Sequence, residues 1–329
     1  MSSRGEEIVN KNSEILFIYE ASLCNPNGDP DEENRPRIDP RTNRNLVTDV
    51  RLKRFFRDYV IKKYGSDYIW VTKIEGQSVR ADTRLEKLTK ASDPENVKKA
   101  VISSCIDARL FGATVPIRGK AGEARGVSIS MIGPIQFAWG YSLHPVELVE
   151  SSTITSIFSG REAGEEYGTM GKDFRLYYSL LAFYGVVSGN RAVDVSMRLY
   201  DLQILDHLLY QTLKLEATTR SKIGENPLIY MRIEYDDSET LIGDLRRFIK
   251  AKYDETKPIR SFTDIHVDFG ELIKKLETFD NKVNKIYLWY DDLFKTVIKD
   301  LEEKFPNKIS KIPYIKELDL PNKLKLSPK

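Results

Sequence analysis

Residues 13–23 read SEILFIYEASL, and residues 47–63 read VTDVRLKRFFRDYVIKK. The first stretch is rich in β-branched and aromatic residues and predicts a strand. It is closed by the turn-forming run Asn25-Pro26-Asn27-Gly28-Asp29-Pro30. In the second, Leu52, Phe55, Phe56, Tyr59 and Val60 fall on one face at helical spacing. Thr48 or Asp49 stands where an N-cap is needed, and Arg51, Arg54 and Arg57 lie on the flanks or opposite the apolar stripe. Pro36 and Pro40 keep the intervening loop out of helix.

Working outward, residues 68–126 form a mixed region with a short helix near 94–104. Strands follow at 127–139 and 150–158, then a glycine-spaced loop at 159–173 and an aromatic strand at 174–187. An apolar helix is expected over 193–214 and a strand over 228–235, with helical patterns near 269–276 and 287–305. The tail from Pro306 is rich in Lys and Pro. This order predicts an α+β fold with an RRM-like, ferredoxin-like βαββαβ core and a large insertion. The units expected are 1–67, 68–126, 127–158, 159–173, 174–235 and a helical C-terminal extension at 236–329. Architecture alone assigns no function.

The chain has 329 residues, 41% hydrophobic and 30% charged, a globular profile able to bury a substantial core. No run approaches the roughly 18 apolar residues of a membrane span, and residues 1–12 lack the apolar core of a signal peptide. Cys24 and Cys105 are far apart and outside any C-x-x-C pattern, so a disulfide framework or cysteine zinc site is not expected; a reducing cytoplasm is. The net charge of +2 argues against coating nucleic acid with the whole surface. Between 41 and 64, however, Arg41, Arg44, Arg51, Lys53, Arg54, Arg57, Lys62 and Lys63 face only Asp49 and Asp58.

Enzymatic patterns are absent where they are easiest to recognise. His144, His207 and His266 have no metal-ligand spacing, and His207 among leucines reads as a packed helix residue. Gly168-Thr169-Met170-Gly171-Lys172 fails the Walker pattern at Glu166 and Asp173. The acidic run Asp29, Asp31, Glu32, Glu33 fails the EF-hand pattern at Asn34 and Pro40 and reads as a solvated loop. No catalytic residue, metal or cofactor is expected. The basic helix has a plain reading as a surface helix, but Arg35, Arg37, Arg41 and Arg44 precede its N-terminus, where backbone amides favour phosphate. Gly160, Gly164, Gly168 and Gly171 permit a protruding hairpin whose tip can approach a ligand backbone, with Met170 as an apolar wedge; an ordinary mobile hairpin fits as well.

Several segments together resemble the Cas-seven family, the repeated backbone subunit of type I CRISPR Cascade complexes in the RAMP superfamily. Its branches of types I-B and I-C are the most similar. The resemblance rests on the Asn25–Pro30 run, Arg37-Ile38-Asp39-Pro40, and Val47-Thr48-Asp49-Val50-Arg51-Leu52-Lys53-Arg54. It continues with Asp107-Ala108-Arg109-Leu110-Phe111-Gly112-Ala113, Gly133-Pro134-Ile135-Gln136, Ser142-Leu143-His144-Pro145 and Gly168–Lys172. It implies an RRM-like palm, a finger-like insertion at 68–126 and a thumb at 159–173. It also implies a cytoplasmic, non-catalytic subunit that binds the guide RNA (crRNA) backbone. The implied partners are further copies in a helical filament, other Cascade subunits, and target nucleic acid paired to the guide. The RNA-binding residues it implies are Arg44, Thr48, Arg51, Lys53, Arg54 and Arg57, with Thr169, Met170 and Lys172 on the thumb. Two alternatives stand beside it. One is a type III-like metal-dependent ribonuclease using Asp29, Asp31 or Asp39; the other is a free-standing single-strand RNA-binding protein.

Overall fold

The computed structural model describes residues 6–74, 77–78, 80–91, 93–117, 127–150, 152–159 and 166–313. Its axis is β1 (Ser13–Cys24), paired on both sides and therefore central. Ile15, Phe17, Tyr19 and Ala21 point to one core, while Leu16 and Ile18 point to the other. A strand buried on both faces carries no polar alternation, which is why residues 13–23 read as a nearly continuous apolar run.

After β1 come the short pair β2 (Gly28–Asp29) and β3 (Arg35–Pro36), the edge strand β4 (Leu46–Val47), and α1 (Asp49–Tyr64). The inserted region holds β5 (Lys73–Ile74), β6 (Gln77–Ser78), α2 (Ala81–Leu88), α3 (Pro94–Ser104), α4 (Ile106–Phe111), β7 (Gly112–Ile117) and β8 (Val127–Ile132). The chain returns to the sheet through β9 (Ile135–Phe137) and β10 (Gly140–Ser142), then leaves it as the hairpin β11 (Thr153–Ser159) and β12 (Glu166–Lys172). β13 (Leu176–Val187), α5 (Gly189–Asp194), α6 (Leu199–Glu216) and β14 (Glu225–Tyr235) follow. The C-terminal part adds β15 (Lys250–Tyr253), β16 (Ile265–Asp268), α7 (Gly270–Thr278), β17 (Val283–Tyr290), α8 (Lys295–Lys304) and β18 (Ile309–Lys311).

The fold is α+β. The main sheet runs β18-β17-β14-β1-β13-β10-β4, with β9 also on β13. Only the β17–β18 pair is parallel within it. α1 and α6 cover one face, burying Leu52, Phe56 and Val60 with Leu205, Leu209 and Leu213. α7 and α8 cover the other, where Leu272, Leu276, Ile298 and Leu301 meet Ile229, Met231 and Ile286.

The segment 107–113 is a joint between the insertion and the helices. Asp107, fully buried, accepts from Arg57 Nε at 2.8 Å and from the Trp70 and Val71 amides at 2.6 and 3.2 Å. Arg109 reaches across to Asp201 of α6 at 2.8 Å, also fully buried. Gly112 has φ +92°, and a Cβ there would lie 2.3 Å from the Met131 carbonyl, so only glycine fits where β7 and β8 converge.

Four expectations change. Residues 127–139 are not one strand: β8 ends at Ile132 and pairs with β7, and after Gly133-Pro134 β9 joins β13 in the main sheet. Residues 193–214 are not one helix: α5 ends at Asp194 and the chain turns through Ser196 at φ +52° before α6. Residues 287–305 are not one helical stretch either, since β17 runs to Tyr290 before α8 begins. There Ile286 and Leu288 enter one core while Tyr287 and Trp289 pack on the other, a period of two hidden by apolar residues on both faces. The region 236–329 is thus not a helical extension alone, because it supplies strands to the main sheet. Finally, β12 takes up much of 159–173, with only residues 160–165 between the two hairpin strands. Met170 pairs with Thr155 within the hairpin, not at its tip. Part of that expected loop, like the tail from 314 onward, lies outside the described residues.

Candidate nucleic-acid interface

The run after β1 is a clamp on the start of α1. Asn27 Oδ1 accepts from the Thr48 amide at 2.9 Å and from Thr48 Oγ1 at 3.0 Å. Thr48 Oγ1 in turn accepts from the Arg51 amide at 3.3 Å, the N-cap bond. Asn25 Nδ2 donates to the Asn34 carbonyl at 2.7 Å, while Lys222 Nζ donates to the Asn25 and Pro26 carbonyls. Asn45 closes the far end, donating to the Arg37 carbonyl at 2.8 Å. The positive end of α1 is therefore held in a fixed frame of backbone and amide groups.

The basic residues divide into two sets. Arg51 lies 4.0 Å over the Phe55 ring, and its Nε is buried without a partner. Arg44, half-buried, lies 5.6 Å from the Tyr141 ring centroid. Arg54 is half-buried and donates to Asp58 at 2.8 Å on the next turn. Lys53 and Arg57 differ: each is only 7% exposed. Lys53 pairs with Asp49 at 2.8 Å, and Arg57 is held by Asp107. The Arg57 guanidinium in its buried ion pair is a structural tie, while Lys53 is engaged along its own helix by Asp49.

On the hairpin, Thr169 and Met170 pair with Ser156 and Thr155; their side chains lie outside the described residues. Lys172 is exposed and meets Glu33 at 2.6 Å, joining the base of the hairpin to the loop before α1. The two regions singled out in the sequence are thus neighbours. Further cations gather at the same place. Arg175 and Arg220 share Asp173 at 2.8 and 2.9 Å, and Arg175 also donates to the Leu23 carbonyl at 2.8 Å. Aromatic rings alternate with them, Lys172 and Arg35 at Phe174, Arg37 at Trp139, and Arg246 at Tyr141. Sequence reading missed Arg175, Arg220, Lys222, Arg246, Trp139 and Tyr141, because they come from stretches far apart in the chain, near 140, 175, 221 and 246, with no period relating them.

Beneath this surface lies a buried ionisable pair. Glu225, 3% exposed, has neither carboxylate oxygen hydrogen-bonded. Burial pushes it up to about 7 against the pull of Lys222 and Arg51. Burial likewise lowers Lys222 to about 8, with Arg51 adding to the effect. Cys24 beside them is pushed up to about 12, chiefly by burial, and stays a thiol. His144 is a core residue: burial lowers it to about 4, and its Nε2 accepts from the Leu180 amide at 3.1 Å.

Asp29 accepts from Arg37 at 2.6 Å, and Asp39 accepts from the Arg41 amide at 3.1 Å and Thr42 Oγ1 at 2.6 Å. These carboxylates build the loop. Among the described residues no group of three or more His, Cys, Asp or Glu side chains is placed to hold a metal ion. No helix among them is long and apolar enough to cross a membrane.

The model of the family described as CRISPR-associated protein Cas7 matches residues 11–270. A Haloferax volcanii protein described as CRISPR-associated protein Cas7 is 34% identical over 306 residues, covering 88% of this chain and 89% of its own length. Among solved structures, a chain of a CRISPR RNA-guided surveillance complex aligns over 86% of this chain and 91% of its own, with a TM-score of 0.44 and 13% identity. A chain of a pre-nicking form of such a complex aligns over 85% and 93%, at 0.46 and 12%. By the family match and the identity to the Haloferax protein, this chain belongs to the Cas7 family of CRISPR-associated proteins.

Proposed function

We propose that the chain is a non-catalytic backbone subunit that binds guide RNA and repeats along it in a cytoplasmic, Cascade-type surveillance complex. Guide pairing would then recognise the target nucleic acid, with the protein holding the backbone. The observation that carries this reading is the clamped, arginine-rich start of α1, tied through Lys172 and Glu33 to the base of the hairpin. In this reading Thr48, Arg44, Arg51 and Arg54 face the guide backbone, and β11–β12 with Thr169, Met170 and Lys172 is a thumb that crosses it. The palm is RRM-like: taking β1, β10, β13 and β14 as the four core strands, the order β14-β1-β13-β10 with α1 and α6 on one face is that of a βαββαβ core.

The test is single-stranded RNA binding as a function of salt for the chain and for Arg44→Ala/Arg51→Ala. Each lost phosphate contact lowers the slope of log K against log salt by about 0.7. A weaker affinity with a shallower slope is expected. Unchanged affinity and slope would remove the assignment.

A further inference from the structure

Trp139 is 50% exposed, and its main chain is tied into the sheet edge. Its carbonyl accepts from Arg246 Nη1 at 2.7 Å, and the preceding Ala138 amide donates to Tyr184 at 2.9 Å. The following Gly140 leaves no freedom, because a Cβ there would lie 2.4 Å from the Phe183 ring. Gly140 pairs with Val47, so Trp139 stands one step further along, beside Thr48 and the start of α1.

A lone exposed aromatic is ordinary. The surroundings of this one are not a random surface. Arg37 stands 6.0 Å from its ring centroid, and the Arg37 Nε is buried without a partner. On the same edge Tyr141 is met by Arg44 at 5.6 Å and Arg246 at 4.3 Å. The charged groups that meet these two rings are guanidinium groups, Arg37 at Trp139 and Arg44 and Arg246 at Tyr141. Arginines alternating with rings are suited to a chain that presents a flat π-face and a phosphate at each repeat, which is single-stranded nucleic acid.

We propose that Trp139 is a stacking platform for one nucleobase of the bound RNA, with Arg37 and Arg44 on the adjoining phosphates. This rests on the RNA-binding reading above and adds a base contact to it. The base is not read by its edge, so the platform accepts any nucleobase.

The two other tryptophans are a useful background. Trp70 is buried, and Trp289 is stacked on Tyr210 with centroids 4.2 Å apart. Quenching of tryptophan emission by RNA therefore reports on Trp139. Single-stranded RNA of one labelled sequence is titrated into the chain, Trp139→Ala and Trp139→Phe, following emission and label anisotropy together. Thermal unfolding checks that the half-exposed site tolerates each change. The wild-type chain should be quenched on binding, and Trp139→Phe should bind without quenching. Trp139→Ala should lose roughly 5- to 150-fold in affinity, the range for one stacked base, with its salt slope unchanged because no phosphate contact is lost. Binding without quenching in the wild type, or undiminished affinity in Trp139→Ala, would overturn the platform and leave the RNA-binding reading intact. A drop accompanied by a shallower salt slope would also overturn it, since the loss would lie in phosphate contacts. A wild-type chain that binds no RNA would overturn both.

Discussion

Arg51 and Arg57 share one helix, one residue type and one amphipathic pattern, yet their environments separate their roles. Arg51 sits over Phe55 with an unpartnered Nε, whereas Arg57 is locked to the fully buried Asp107. Arg57→Ala should therefore destabilise the fold by roughly 3–5 kcal/mol, because it leaves a buried carboxylate without its counter-ion. Arg51→Ala should leave the melting temperature nearly unchanged and weaken RNA binding. Denaturant unfolding and RNA titration on the same two variants check this, and the reverse pattern would exchange their roles. Glu225 gives a second residue-scale test. Its folded value is raised to about 7 above the ordinary carboxylate range, so the folded state holds the proton more tightly than the unfolded chain. Its stability contribution is present below the ordinary carboxylate range and is lost as pH rises through about 7. Glu225→Gln removes that loss and should be stabilising at pH 8 by on the order of 2 kcal/mol relative to its effect at pH 4. An equal effect of the substitution at both pH values would show that the carboxyl is not buried uncompensated.

At the scale of elements, β1 and α1 were legible because each satisfies one strong rule. β1 is an unbroken β-prone run ended by turn residues, and α1 has a helical apolar stripe behind a Thr cap. The resemblance motifs were legible too, and their physical content is now visible. Asn27 caps α1 through Thr48, Asp107 and Arg109 anchor the insertion, and Gly112 permits a close crossing. Other features were hidden for definite reasons. β17 is apolar on both faces, so its alternation could not be told from a helical stripe. The glycines of β12 looked like loop punctuation, although an antiparallel partner accommodates them in a strand. Nor does one-dimensional spacing reveal that Arg57 turns inward to Asp107, fifty residues away. The hairpin gives the element-scale test. Replacing residues 156–169 with a short Gly-Ser turn keeps Lys172 and Glu33. Thermal unfolding should stay cooperative, while periodic nuclease protection of long RNA disappears. Unaltered periodic protection would show that the hairpin does not cross the RNA.

For the molecule as a whole, a sheet buried on both faces leaves its β4 edge and the adjoining loop as the rigid border where basic and aromatic groups gather. Asp29 is held in an ion pair and Asp39 in a turn, and magnesium should not elicit cleavage of bound RNA. Gel analysis of labelled RNA checks this, and cleavage that vanishes in Asp39→Ala or Asp29→Ala would assign a nuclease. The most direct measurement is to purify the chain from cells carrying a CRISPR array and to sequence the RNA that comes with it. Repeat-derived guide RNA, retained by the wild-type chain and depleted in Arg44→Ala/Arg51→Ala, is the predicted result. The absence of RNA, or RNA without array sequences in both proteins, would contradict it.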